Sequence, residues 1–117
     1  MTTLGPYTPV MRAGDFVIVS GQGGLLDGAL VPGGVAAQTS QAMANLAARL
    51  AEHGATLDDV VKTTCFLTDL GTYVEFNEAY SAAFGDHRPA RSTVEVSALP
   101  AKMDVEIEAW AYCPIDS

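Results

Sequence analysis

Apolar and polar residues alternate along Asp104–Tyr112, and this alternation predicts a long strand near the end of the chain. One face of that strand would carry only small or branched residues: Val105, Ile107, Ala109 and Ala111. The other face would carry Glu106, Glu108, Trp110 and Tyr112. A carboxylate in an apolar strand is costly unless it is paired or takes part in chemistry, so Glu106 is a candidate functional residue. An interfacial salt bridge with Lys62 or Lys102 is the structural alternative, and spacing alone does not distinguish Glu106 from Glu108.

Two helices are predicted between the strands. The first covers Val35–His53, where apolar residues recur at helical spacing, and Gly54 follows as a stop. The second begins near Thr72, which forms a capping-box pattern with Glu75, and it ends at Gly85. Its apolar face is predicted to carry Tyr73, Phe76, Tyr80 and Phe84.

Segments rich in β-branched and aromatic residues predict the other strands. These are an arm or edge strand within residues 1–13 and the strands Asp15–Ser20, Val60–Leu67 and Ser92–Val96. Asp27-Gly28 is a predicted turn. The segment Gly21–Gly24 has no helix directly after it, so it is a weak candidate for a phosphate loop, and we interpret it as a flexible rim loop.

The resulting order β-β-α-β-α-β-β predicts one α+β domain over residues 1–117, with a mixed sheet and two helices packed on one face. Two helices can cover only one face of the sheet. The second face, with Trp110 and Tyr112, needs another cover, and a second copy of the chain is the most economical one. We therefore predict a homo-oligomer with Glu106 near the seam between copies.

Composition narrows the range of partners. The 117 residues are 49% hydrophobic and 17% charged, which fits one globular domain. A net charge of −8 and a pI near 4.4 disfavour nucleic acid as a partner. No segment resembles a signal peptide or reaches membrane-spanning length, so we expect a cytoplasmic protein with no membrane partner.

The two cysteines, Cys65 and Cys113, lie far apart in the sequence. They and the isolated His53 and His87 lack the spacing of a metal site, so no metal is predicted. A disulfide is an alternative, but a reduced setting is the simpler interpretation. Cys65, in the middle of a strand, is predicted to be a buried, inert thiol.

The segment Pro89–Val96 places Arg91, one of six basic residues, at the entrance of a strand. Arginine is the side chain best shaped to hold a carboxylate through two parallel hydrogen bonds. Together with Glu106 it suggests a small pocket for an organic acid. The alternative is a surface arginine or a structural salt bridge.

Three further residues are weaker candidates. Tyr7 is a candidate aromatic wall, Ser20 a candidate hydroxyl donor, and Asn77 a candidate pocket amide on the second helix. Their structural alternatives are turn packing, a strand-end hydrogen bond and a backbone cap, respectively. On the residues alone, the structural roles are favoured.

Several motifs resemble those of the RidA (YjgF-like) imine/enamine deaminases. The matching segments span nearly the whole chain in the family's order: GPY (5–7), FVIVSGQ (16–22), LAEHGATLDDVVKTTCFLTDL (50–70), FNEAY (76–80), FGDHRPARSTVEVSALP (84–100) and VEIEAWA (105–111). The DDVVKTT and PARSTVEV blocks are the specific ones.

The resemblance implies a chorismate-mutase-like α+β fold and a homotrimer whose sheets face the trimer core, with active sites between subunits. It implies hydrolysis of 2-imino acids, such as 2-iminopropanoate and 2-iminobutanoate, or of their enamine tautomers. The products would be 2-keto acids and ammonia, formed without metal or cofactor.

The resemblance also assigns roles to six residues. Arg91 falls on the family's carboxylate-binding arginine and Glu106 on the glutamate that holds the water. Substrate-binding positions fall on Tyr7, Ser20, Asn77 and Thr93, in addition to Arg91. Many members carry cysteine where Thr93 stands, and the family uses that position largely through its main chain.

The chain departs from the family pattern near the predicted pocket rim. Thr8-Pro9 replaces the common Ser-Gln, Gly23-Gly24 replaces Ile-Pro, and the family's usual segment before GPY is missing. These changes bear on the substrate more than on the reaction. The alternatives are therefore a hydrolase for a larger, pathway-specific imine, or a non-catalytic acid-binding regulator. An RNA-directed nuclease is a third, which the net charge of −8 disfavours.

Overall fold

A five-stranded mixed sheet forms the framework of the protein, and two helices cover one of its faces. The computed structural model describes residues 4–115. The strands are β1 (Val10–Ala13), β2 (Phe16–Gly23), β3 (Leu25–Leu26), β4 (Ala29–Leu30), β5 (Val60–Leu67), β6 (Ala90–Glu95) and β7 (Val105–Tyr112). The helices are α1 (Gly34–Ala51) and α2 (Tyr73–Phe84). The sheet order is β1-β2-β7-β5-β6, while β3 and β4 form a separate hairpin. The predicted α+β architecture is confirmed.

β7 lies at the centre of the sheet and shows the predicted alternation. Its helix-facing side chains are all fully buried: Val105, Ile107, Ala109 and Ala111. They contribute to a core with large side chains from both helices, among them Met43, Leu46, Leu50 and Phe76. The opposite face of the sheet has no helix over it, and it leaves the rings of Phe16, Trp110 and Tyr112 exposed. We call this second surface the open face.

β6 is one of the two edge strands, and β5 is the strand it pairs with in the described part of the chain. The two strands run parallel, with Thr63 opposite Arg91 and Cys65 opposite Thr93. Because Thr63 and Cys65 are buried on the helix side of β5, Arg91 and Thr93 also face the helix side. Parallel pairing with β5 therefore brings Arg91 beside α2.

The predicted rim loop at Gly21–Gly24 is wrong. β2 continues through Gly23, past the predicted end at Ser20, because residues 22 and 23 pair with residues 107 and 106 of β7 after a bulge. Glycine is required there by close packing rather than by flexibility. A Cβ atom on Gly23 would overlap the sulfur of Met103, and one on Gly24 would lie 2.7 Å from Cα of Gln38 in α1.

The predicted capping box at the start of α2 is also wrong. Thr72 is the N-cap, but its side chain accepts no hydrogen bond from the helix. Its hydroxyl donates instead to the carbonyl of Asp69 at 2.7 Å. A short 3₁₀ turn over Leu70–Thr72 precedes the helix and moves Thr72 out of the extended conformation that an N-cap needs.

Other local predictions hold. Asp27 and Gly28 both have positive φ angles, 53° and 82°, and form the turn of the β3–β4 hairpin. Gly54 follows α1 at φ 74°, and Gly85 caps the end of α2. The α1 boundaries shift by one or two residues from the predicted Val35–His53.

Both cysteines are free thiols. Cys65 is buried as predicted, and burial raises the pKa of its thiol to about 11, which keeps it protonated and inert near neutral pH. Among residues 4–115, no three His, Cys, Asp or Glu side chains converge in a metal-binding cluster. Neither helix in that part of the chain is long and apolar enough to span a bilayer.

Candidate active site

A cavity of about 320 Å³ opens between the N-terminal arm, the bulged end of β2 and the second half of α1. Three predicted site residues line it: Tyr7, Ser20 and Glu106. Gly21 and Arg49 line it as well. The structure therefore brings together half of the predicted site residues in one concave space.

Glu106 occupies this cavity without a partner. Its carboxylate makes no hydrogen bond or ion pair with any residue of the described segment 4–115, so neither Lys62 nor Lys102 forms the alternative salt bridge. Burial raises the pKa of Glu106, and the carboxylate of Glu108 raises it further. A half-buried, unpaired carboxylate with a raised pKa is suited to accept a proton near neutral pH.

The arm that carries Tyr7 is fixed through Ser20. The backbone N–H of Ser20 donates to the carbonyl of Pro9 at 2.9 Å, and its hydroxyl donates to the carbonyl of Thr8 at 2.7 Å. Ser20 thus makes the strand-end hydrogen bond expected of a structural role while its side chain lines the cavity. The exposed ring of Tyr7 is held at the cavity wall by these contacts.

Arg91 lies outside this cavity, in a groove between β6 and α2. One of its terminal nitrogens donates to the Tyr73 hydroxyl at 2.8 Å. The guanidinium carbon lies 4.9 Å from the ring centroid of Tyr80 and 5.5 Å from those of Tyr73 and Phe76. No carboxylate within the described chain pairs with it. Arg91 is therefore positioned by aromatic rings, and most of its donors remain available to an acid.

Two buried oxygen atoms lie on β6 and α2, the two elements that border the groove of Arg91. Oδ1 of Asn77 in α2 has no hydrogen-bond partner among residues 4–115, and Oγ1 of Thr93 in β6 has only the weakly donating thiol of Cys65 beside it. Buried polar atoms normally have one, and leaving one unpaired costs about 1–3 kcal/mol. The β6–α2 groove thus has unsatisfied hydrogen-bonding capacity on the residues that the sequence predicted to bind substrate.

The two groups of candidate residues lie on opposite faces of the sheet. Glu106 is opposite Phe66 of β5, which is opposite Val94 of β6, so these three share the open face. Arg91 and Thr93 alternate with Val94 and face α2. Two strand spacings, about 10 Å, also separate Glu106 from β6. Within one chain, Arg91 and Glu106 therefore face different sides of the sheet.

Gly21 and Arg49 are two of the cavity residues that sequence reasoning did not assign to the site. Gly21 provides the space for Glu106: a Cβ atom on it would overlap Oε1 of Glu106 and lie 2.7 Å from Cγ. The position of Gly21 directly after Ser20 in the SGQ segment was the available signal. Arg49 looked like an ordinary basic residue near the end of α1 and gave no signal.

Replacing Gly21 with alanine is expected to displace the Glu106 carboxylate and lower catalytic activity about tenfold or more, while the fold is retained. The neighbour that must move is a side chain, so the backbone stays in place. Gly5→Ala is a comparison variant on the N-terminal arm, because its added Cβ meets Tyr7 ring atoms at 3.8 Å, an ordinary contact distance. Melting temperature and activity are the measurements. A fully active Gly21→Ala variant would contradict the close approach.

Comparisons with known proteins identify the family. Residues 1–113 match the family described as endoribonuclease L-PSP. The chain is 43% identical over 111 residues to a RutC family protein of Pyrococcus abyssi, a match that covers 93% of this chain and 87% of that protein. It is 41% identical over 110 residues to the 2-iminobutanoate/2-iminopropanoate deaminase of Mus musculus, covering 92% and 82% of the two chains.

The fold comparison agrees with the sequence comparison. The crystal structure of RidA from the Antarctic bacterium Psychrobacter sp. PAMC 21119 superposes with a TM-score of 0.91 at 36% identity and covers 95% of this chain and 91% of that chain. The motifs that resembled RidA thus belong to a chain with the RidA fold. The protein belongs to the endoribonuclease L-PSP family, which includes the RidA and YjgF proteins.

Proposed function

We propose that the protein hydrolyses 2-imino acids, and their enamine tautomers, to 2-keto acids and ammonia. Short substrates such as 2-iminopropanoate and 2-iminobutanoate are the reference cases, and the mouse relative is named for a deaminase of these two acids. One observation carries the proposal: an arginine with available donors and an unpaired carboxylate with a raised pKa form two complementary half-sites. We expect the protein to act in the cytoplasm, where pyridoxal-phosphate dehydratases release such imines.

In this proposal Arg91 binds the substrate carboxylate. The rings around the guanidinium hold its planar fork in place, so little side-chain freedom is lost on binding. Asn77 and the main chain at Thr93 complete the groove and supply hydrogen bonds to the acid end. Tyr7 and Ser20 line the opposite wall, beside Glu106.

Glu106 handles the protons of the attacking water. The water oxygen forms a bond to C2 of the imine, and the π electrons of the C=N bond move to nitrogen. Glu106 accepts one proton from the water and delivers it to that nitrogen, giving a carbinolamine. It then carries the hydroxyl proton to the nitrogen as the C=O bond forms and the C–N bond breaks. Both protons of the water leave on ammonia, and Glu106 ends as a carboxylate.

In this proposal two copies of the chain complete the site, because Arg91 and Glu106 face opposite sides of one sheet. We propose a homotrimer in which the open faces meet at the core and each cleft joins the β6–α2 groove of one copy to the cavity of the next. Aromatic rings exposed on the open face are the surface that association would bury.

A direct assay tests the reaction. A dehydratase acting on serine or threonine supplies the imine, and semicarbazide trapping measures how fast it disappears with and without this protein. Faster imine loss with matching keto-acid release supports the proposal. Tight binding of a 2-keto acid without faster imine loss would instead assign a regulatory, acid-binding role.

Mixing two inactive variants tests the shared site. Arg91→Met and Glu106→Gln subunits, unfolded together in equal amounts and refolded, are expected to regain about one quarter of wild-type activity. A cleft is active only when one subunit supplies Arg91 and its neighbour supplies Glu106. In an equal, random mixture each of these conditions is met in about half of the cases, so about one quarter of the clefts are active. Each variant refolded alone is the control. No recovery in trimers of confirmed mixed composition would rule out a site shared between copies.

A further inference from the structure

Arg49 is a basic residue on the wall of the cavity that holds Glu106. It stands in the last turn of α1, and its side chain is only 14% exposed. Among residues 4–115 its side chain has one polar partner, Glu52. The Glu52 carboxylate lies 2.8 Å away, and the Glu52 side chain is 50% exposed. A guanidinium has five N–H donors, and this pair uses one of them.

Two other polar side chains around the cavity, those of Ser20 and Asn45, already have partners. The Ser20 hydroxyl donates to the carbonyl of Thr8. The Asn45 amide donates to the carbonyls of Gly23 and Leu25, each at 2.9 Å. Two side chains of opposite charge thus remain available to a ligand, Arg49 and Glu106.

Arg49 and Glu106 do not neutralise each other. The one ion pair in the described chain is between Arg49 and Glu52, so more than 4.0 Å separates the Arg49 nitrogens from the Glu106 carboxylate. Leu25 and Met103 also line the space. The cavity thus combines a cation, a proton acceptor and apolar side chains. This combination suits a ligand with an acidic group at the end of a short hydrocarbon chain.

We propose that Arg49 binds a second acidic group of the substrate, and that the preferred substrates are dicarboxylic 2-imino acids. This inference rests on the proposed deaminase function. The carboxylate next to the imine lies on Arg91 of a neighbouring copy, and the imine carbon lies beside Glu106. The methylene groups lie against Leu25 and Met103, and the distal carboxylate pairs with Arg49.

The selectivity ratio tests this assignment. An amino-acid oxidase generates the imines of glutamate and alanine in separate assays, and kcat/KM is measured for each. Arg49→Met is expected to lower the glutamate-to-alanine ratio about tenfold or more, because a charge-assisted pair is lost. Arg49→Lys should retain part of the ratio. Glu52→Gln should raise it, because it frees Arg49 and removes repulsion of the incoming carboxylate.

Arg88→Met is the control, because it removes the same charge from an exposed arginine that does not line the cavity. An unchanged ratio in both Arg49→Met and Glu52→Gln would overturn the proposal. So would an equal loss for both imines in Arg49→Met, since that result means a structural role. If Arg49→Met is poorly folded, the glutamate-to-alanine ratio of Glu52→Gln alone tests the proposal.

A binding experiment separates this inference from the deaminase proposal. Calorimetric titration compares 2-oxoglutarate with 2-oxobutanoate on the wild type and on Arg49→Met. Weaker binding of the diacid alone in the variant supports the Arg49 site even in the absence of imine turnover. Equal affinity of the two proteins for the diacid would overturn the site, whatever the activity assay shows.

Discussion

Arg91→Met is expected to lower kcat/KM for imine hydrolysis about 100-fold while leaving the fold intact. The loss follows from removing a charge-assisted, bidentate pair and the orientation that it imposes on the substrate. Methionine can keep apolar contact with the rings of Tyr80 and Phe76, so stability should change little. Initial rates of imine loss across substrate concentrations give kcat/KM, and thermal melting reports the fold.

Two further variants make the Arg91 result interpretable. Arg91→Lys keeps the charge but loses the planar fork, and about a tenfold loss is expected. Arg88→Met removes a charge three residues away. The Arg88 guanidinium donates to the carbonyls of Gly85 and His87 and not to Tyr73, so this variant should keep wild-type kcat/KM. An Arg91→Met protein with undiminished kcat/KM would exclude the carboxylate-binding role.

Glu106→Gln is expected to lower kcat about 10²- to 10⁴-fold, the range for a lost proton-transfer group. Binding of 2-keto acids should persist, because Arg91 is untouched. Wild-type activity should rise with pH as Glu106 ionises, and the midpoint should lie above the ordinary range of a glutamate because burial raises its pKa. The measurement is kcat as a function of pH for both proteins. If kcat of Glu106→Gln still rises with pH as in the wild type, Glu106 is not the group whose ionisation controls the reaction.

Glu108→Gln provides the control for that profile. The Glu108 carboxylate disfavours ionisation of Glu106, so its removal should lower the pKa of Glu106 and move the limb to lower pH. Activity at neutral pH should be retained. A shift to higher pH would contradict this electrostatic account.

The same pKa shift has a consequence for stability. The pKa of Glu106 is higher in the folded protein than in the unfolded chain, so ionised Glu106 destabilises the fold. Glu106→Gln should therefore be more stable than the wild type above the raised pKa. The advantage should shrink as the pH falls through that pKa and vanish below about 4.3, the value of a free glutamate. Melting temperatures across this range check the sign.

The sequence predicted the central strand well because its two faces differ in solvent exposure. Val105, Ile107, Ala109 and Ala111 alternate with polar or aromatic residues, and a one-residue slip would bury the charges. The glycines at the end of β2 were predicted to form a loop, because glycine is common both in turns and where another group packs closely against the backbone. Only the positions of Glu106 and Met103 show that close approach is the reason here.

The site was predictable only in part. Residue chemistry singled out Arg91 and Glu106 as candidates, and family resemblance assigned their roles. Alternation placed Glu106 on the open face. The face of Arg91 depends on the parallel register between β5 and β6, which no local pattern encodes. Arg49 reaches the cavity because α1 crosses the end of β2, and such helix placement is set by tertiary packing.

The exposed ring cluster on the open face also contains the chain's one tryptophan. Trp110 is 44% exposed, and its ring packs edge to face against Phe16, with centroids 5.9 Å apart. Indole fluorescence shifts to shorter wavelength when water is excluded from the ring. The emission wavelength of Trp110 therefore indicates whether the open face is covered. Measuring that wavelength as the protein is diluted follows association without an added label.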